Sequence, residues 1–154
     1  MLISSIPYLI LEMDALSGGA SVLAFIGIAL QSTKAVYEIV SGIKNGPKQV
    51  NQLTSAIHNL QTILTQLSVC PIVPQADPQT DMKVLLNLVK AGVKDVLGYE
   101  KDMEKLQVTH EDRKTGKLWK KLRTHLQEKD LQRIWVQVNT HVTALSFQLN
   151  LSQL

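Results

Sequence analysis

Four histidines, one cysteine and a short basic run are the residues of this 154-residue chain whose types could do chemistry. His125 and Glu128 would share a helical face, but two candidate ligands fall short of the three or four donors a zinc site needs. His58 and His110 stand alone, and His141 falls on an apolar helical seam, where a buried, hydrogen-bonded imidazole is expected. Cys70 has no local histidine to take its proton and is followed by Pro71, so an activated thiol is not expected. A single cysteine closes no internal disulfide and suits a reducing compartment. Thr115-Gly116-Lys117 resembles the end of a phosphate-binding loop, yet position 111 is Glu rather than Gly, and Leu118 stands where Ser or Thr must ligate magnesium. ATP hydrolysis by that route is excluded. The reading is of a non-enzyme with no catalytic residue, cofactor, metal or small-molecule substrate.

Charge is the second chemical feature. The net value is only +3, but Arg113, Lys114, Lys117, Lys120, Lys121 and Arg123 fall within eleven residues. Such a cluster can meet anionic lipid head groups or an acidic partner, each cation contributing about 1 kcal/mol near an anionic surface. It can equally be a solvated face, given Glu111 and Asp112 beside it. Nucleic acid fits poorly, because no aromatic platform, zinc spacing or helix-turn-helix accompanies the charge.

The elements that must position these residues read as helices. Ala15–Thr33 carries no charge, and its first half is apolar on every side. Such a helix belongs either in a core, wrapped by the others, or in lipid. In the second case Leu16, Val22, Leu23, Phe25, Ile26, Ile28 and Leu30 form the lipid-contacting set. Asp14 stands as its N-cap, and Val22, Ile26, Ala29, Thr33, Val36, Val40 and Ile43 continue at three-four spacing to about Lys44. Gly46 is expected to take a left-handed C′ position there, with Pro47 opening the next helix.

The second helix carries Val50, Leu53, Ile57, Leu60, Leu64 and Leu67 on one seam, and Pro71 and Pro74 follow it. A third, capped by Asp77 or Thr80, shows Leu85, Val89, Gly92, Val96, Tyr99, Met103 and Leu106. Thr109 to Gly116 reads as a loop, followed by a short helix with Trp119, Leu122 and Leu126 on one side. After a cap at Asp130, the last helix shows Leu131, Ile134, Val138, Val142, Leu145 and Leu149. Trp119 and Trp135 are expected as core anchors. Without period-two alternation, the expected fold is all-α, an up-and-down bundle of four to five helices.

Met13-Asp14-Ala15-Leu16-Ser17 and Ala20-Ser21-Val22 closely resemble the M-D-P-L-S-x-x-A-S-V opening of the fungal HeLo-like N-terminal domain. That family is also described as the N-terminal region of fungal STAND proteins and of an azaphilone-cluster protein. The resemblance extends through Lys34-Ala35-Val36-Tyr37, Lys44-Asn45-Gly46-Pro47-Lys48 and Leu53, then Lys121-Leu122, Leu126, Asp130-Leu131 and Thr143-Ala144-Leu145. It departs where the family has Pro and this chain has Ala15, and where the family often has Cys near Ala91 or Val93. Residues 1–12 have no counterpart in it, which divides the chain into an apolar extension, 1–12, and a HeLo-like bundle, 13–154.

The resemblance implies a signalling module of the fungal NLR type, acting in non-self recognition and programmed cell death. In some relatives the N-terminal helix is released to permeabilise a membrane. The expected partners are proteins or further copies of the chain, together with an anionic membrane. With no basic segment ahead of the apolar one, export is not expected. The module is then cytoplasmic, reaching the membrane on activation. A helical interaction or oligomerisation module with no membrane step is the alternative.

Overall fold

The uncharged N-terminal segment folds as the helix α1, Gly18–Ser41, in a computed structural model that describes residues 18–43, 46–69 and 80–152. The expected cap at Asp14, residues 1–12, Leu16, Cys70, the two prolines after it and Asp77 lie outside those residues. Five further helices follow: α2 (Lys48–Val69), α3 (Thr80–Glu104), α4 (His110–Thr115), α5 (Leu118–His125) and α6 (Glu128–Ser152). Among the described residues there is no strand, as the absent period-two pattern predicts.

The four long helices form an all-α bundle. α1 packs on α2 and α3, and α6 packs on α2 and α3, so α1 and α6 occupy opposite corners, as do α2 and α3. Tyr37 meets His58 across α1 and α2, which a short connection makes antiparallel. Asp95 with His141, and Tyr99 with Gln137, set α3 and α6 antiparallel. Phe25 lies by Lys90 and Ser32 by Glu100, so α1 and α3 run parallel. Helix directions therefore alternate along the chain as expected, but consecutive α2 and α3 sit on a diagonal.

The seams read from spacing form the core. Every expected seam residue of α2 is buried, as are the seven from Val22 on α1 to Ile43 just beyond it. Burying each large aliphatic side chain contributes about 1.5–3 kcal/mol, so these stripes decide which faces meet. On α6, Val142 is half-buried, and the rest of its seam is buried. α1 is not wrapped on all sides, however. As a corner helix it exposes Leu23, Gly27, Gln31 and Lys34. In residues 22–33 its apolar character beyond the seam comes from Leu23, Phe25, Ile28 and Leu30, of which Phe25 is buried and the last two are half-buried against the core.

Four local expectations change. Gly46 does not take a positive φ; a Cβ there would lie 3.0 Å from both Ile43 Cγ2 and Val50 Cγ2. Its role is to admit close packing at the α1–α2 corner. Residues 110–115 are helical rather than a loop, because Thr109 and Asp112 form a reciprocal capping box that nucleates a turn. Gly116 ends that turn at φ 73°, where glycine is free of Cβ strain. On α5 the buried pair is Leu118 and Leu122, whereas Trp119 and Leu126 are half-buried. Finally, α6 starts at Glu128, and Asp130 acts from inside its first turn, its carboxylate accepting from the Gln127 amide at 2.9 Å.

Candidate interaction surfaces

The basic run folds into the corner formed by α4 and α5, which covers the end of the bundle where α1 finishes. A Cβ on Gly42 would lie 3.6 Å from Leu118 Cδ2, so α5 rests on the last turn of α1. Lys121 is engaged within this corner. Its Nζ donates to Asp112 Oδ2 at 2.6 Å and to the Gln107 carbonyl at 3.2 Å. Gln107 has φ 49° where α3 ends, an uncommon conformation for a residue with a side chain, and the Lys121 amine holds its carbonyl. Asp112 also accepts from the Thr109 amide at 2.9 Å. The Lys121 ammonium first, and the Thr109 amide second, hold the Asp112 carboxyl down to about 2. Lys114, Lys117, Lys120 and Arg123 are exposed, with no ion pair to another described residue, while the side chain of Arg113 lies outside the described residues.

The apolar set of α1 is divided by the packing. Val22, Phe25 and Ile26 are buried in the core, Ile28 and Leu30 are half-buried, and Leu23 is 54% exposed. Lys90 Nζ stands 5.5 Å from the Phe25 ring centroid, covering its edge of the core from α3. Polar atoms are buried further along α1. Thr33 Oγ1 donates to the Ala29 carbonyl at 2.5 Å, and Ser32 hydrogen-bonds Glu100. Burial pushes the Glu100 carboxyl up, partly offset by that bond.

α3 and α6 meet through a polar seam. His141 Nε2 and Asp95 Oδ2 are 2.7 Å apart, and the Tyr99 hydroxyl donates to Gln137 Oε1. Burial raises the Tyr99 hydroxyl well above its usual range, so it remains a donor. His141 is thus the hydrogen-bonded histidine its spacing suggested. No described hydroxyl or thiol is hydrogen-bonded to it, so it completes no nucleophilic triad. Nor do the described residues hold a group of three or more candidate metal ligands; His125 lines a small groove with Asp102 and Lys105.

One surface escaped the motif reading. Residues 49–69 and 134–154 contain no Asp, Glu, Lys or Arg, although the chain has sixteen basic and thirteen acidic residues elsewhere. The fold sets these two segments side by side as α2 and α6. Their solvent face is therefore amides, hydroxyls and apolar groups, including Asn51, Ser55, Asn59, Thr140, Thr143 and Phe147, with the exposed His58 imidazole beside Tyr37 on the α1 side. Trp135 stands between two shallow grooves on it. One, of about 520 Å³, runs along α6 past Val136, Asn139, Thr140, Thr143 and Ala144. The other, of about 460 Å³, lies between α6 and the first half of α2, with Lys48 at its end. Trp135 is thus half-buried, packed against the core from the rim of the grooves rather than enclosed within it. The signal was present as missing charge in two segments far apart in sequence.

Fold and surfaces together define a helical-bundle domain whose distinguishing features are faces rather than a pocket. The chain belongs to the family described as pigment biosynthesis cluster protein PigL N-terminal, whose model matches residues 13–152. The match begins at Met13, where the Met13-Asp14 opening carries the HeLo-like resemblance. No curated protein and no solved structure matches the chain significantly.

Proposed function

We propose that this domain is a non-enzymatic signalling module of the STAND type, in which α1 is held in the bundle until a partner or fused receptor releases it to a membrane. The observation that carries this reading is the helix itself. Val22–Ser41 is long and apolar enough to cross a bilayer by length and composition, yet it packs along one stripe only. The buried side chains of that stripe would lose about 1.5–3 kcal/mol each on exposure to water, so release into water is disfavoured. Transfer to hydrocarbon keeps them in an apolar medium and removes most of that penalty. Lys34 and Glu38, one helical turn apart on α1, are the charges such a transfer must accommodate. The resting module is cytoplasmic, its activator is a protein, and the membrane is anionic. The outcome, by the family resemblance, is cell death after non-self recognition.

The experiment is dye release from anionic vesicles by the purified chain, beside a version starting at Met13 and the Leu23→Asp variant. The reading expects leakage at micromolar protein that Leu23→Asp abolishes while its circular dichroism is unchanged. Retained leakage by the folded variant would sink it. A monodisperse, folded chain that leaves vesicles intact would favour the second reading, a helical interaction module without a membrane step. That reading draws support from the uncharged α2–α6 face.

A further inference from the structure

We infer that the uncharged α2–α6 face is a self-association surface, occupied by a second copy of this chain with α6 running antiparallel to its counterpart. The inference is independent of the membrane step.

Three observations carry it. The first is charge. Two copies that each carry +3 repel weakly at long range, and the other described faces present charged side chains that a contact would have to desolvate or pair. α1 and α3 expose Lys34, Glu38, Lys83, Lys94, Lys101 and Glu104, and the α4–α5 corner exposes its lysines. Between residues 49–69 and 134–152 a copy can dock on a surface without Asp, Glu, Lys or Arg, with Lys48 and Arg133 at its margin, which is where a self-complementary contact costs least.

The second is register. Val136, Thr140, Thr143 and Phe147 form an exposed stripe on α6 at spacings of four, three and four. That sequence of steps reads the same in both directions. An antiparallel copy therefore sets Thr140 against Thr143, and Val136 against Phe147, on both sides of one two-fold axis. Val136 is 50% and Phe147 60% exposed, so each contact removes two apolar side chains from water. Phe147 of the second copy then lies over the groove between Trp135, Val136 and Thr140. Arg133 closes the stripe at one end and meets the neutral Asn150 of the copy.

The third is area. The two-fold that reverses α6 also places α2 against α2, since α2 flanks α6 on one side. Two helices about 30 Å long and about 10 Å wide offer roughly 600 Å² per copy, near the lower end of specific interfaces. A dimer of micromolar rather than nanomolar strength is expected.

The test is sedimentation equilibrium of the full chain, with Val136→Glu and Phe147→Lys as single variants and as an equimolar mixture. Both positions are exposed, and circular dichroism will show that the variants fold. The wild type should dimerise in the micromolar range, and each single variant should dissociate at least tenfold more readily. The mixture should recover a heterodimer, because the carboxylate introduced in one copy then faces the ammonium introduced in the other. A wild type that stays monomeric to several hundred micromolar overturns the inference. So does a dimer indifferent to Phe147→Lys, or a mixture that fails to recover. A monomer that instead floats with uncharged phosphatidylcholine vesicles through Phe147 assigns the face to lipid and overturns it likewise. Vesicle leakage by a strictly monomeric chain would leave the proposed function intact while removing this contact.

Discussion

Two neighbouring aliphatic positions on α1 should respond very unequally to the same substitution. Ile26 is 1% exposed, whereas Leu23, less than one turn before it, is 54% exposed. Removing the Ile26 side chain beyond Cβ forfeits its burial and leaves a cavity, at a cost of about 2–5 kcal/mol. An aspartate there also buries a carboxylate with no partner, which adds desolvation or forces it to protonate. A total of at least about 4 kcal/mol is expected for Ile26→Asp, against a whole-domain stability of about 5–15 kcal/mol. Leu23→Asp should stay within about 0.5 kcal/mol, as surface substitutions do. Urea unfolding followed by circular dichroism reads both. With a slope of about 1–3 kcal/mol per molar urea, the Ile26→Asp midpoint should fall by more than about 1 M. If Ile26→Asp unfolds within about 1 kcal/mol of the wild type, the packing of α1 through Val22 and Ile26 is refuted. If Leu23→Asp is equally damaging, the corner position of α1 is refuted instead.

Other perturbations follow from the same geometry. Asp112, held down to about 2 from an ordinary 3.8, supports the α4–α5 corner fully above its unfolded value and loses that contribution as pH falls from about 4 to about 2. The gap in urea midpoint between wild type and Asp112→Asn should close over that interval. Glu100 has the opposite sign: its carboxyl is pushed up by burial, so its charged form disfavours folding as pH rises through the raised value. Glu100→Gln should therefore stabilise the domain at pH 7, with the advantage vanishing below pH 4.5, checked by thermal melts across pH. Gly46→Ala places a methyl 3.0 Å from two buried side chains and should cost about 1–3 kcal/mol in unfolding experiments. Reversing Lys114, Lys117 and Lys120 to Glu should leave the melting temperature unchanged. Affinity for anionic vesicles should fall by about 100-fold or more, at about 1 kcal/mol per cation removed; unchanged flotation would exclude this corner from lipid contact.

The core was legible because its signal is repeated. Val50 to Leu67 offers six aliphatic residues on one stripe, and no alternative element buries them together. Corners were less legible because one hydrogen bond decides them. The Thr109–Asp112 capping box turns a polar run into helix, and Asp130 caps from within the first turn because Gln127 supplies the free amide. Neighbour relations were not legible at all. Period tells which face of α1 is buried but not that α3, rather than α6, lies beside it. That choice determines whether α1 is central or a corner, and therefore whether Leu23 meets water. The neutral face was hidden for the same reason, since only the fold brings residues 49–69 beside residues 134–152.

The two surfaces proposed to meet lipid lie at opposite ends of α1, and this bears on how they would act together. Leu23 and Gly42 are nineteen residues apart, about 28 Å along the helix axis, close to the hydrocarbon thickness of a bilayer. The exposed lysines of α4 and α5 sit by the Gly42 end, through Leu118. In the resting bundle Val22, Phe25 and Ile26 are buried, so of the apolar set near this end of α1 it is Leu23 that is exposed. If α1 instead enters the bilayer N-terminus first, its C-terminal end stays at the surface, still joined to α2. The lysines of α4 and α5 then need no rearrangement to meet the head groups of the entry leaflet. Lys121 need not leave Asp112 for this, because the four exposed basic side chains around it are available. Departure of α1 uncovers the stripes of α2 and α3 that it buried, and those must be covered in turn. On the proposed reading, a second copy docked on the adjoining α2–α6 face is one way to cover the uncovered stripe of α2.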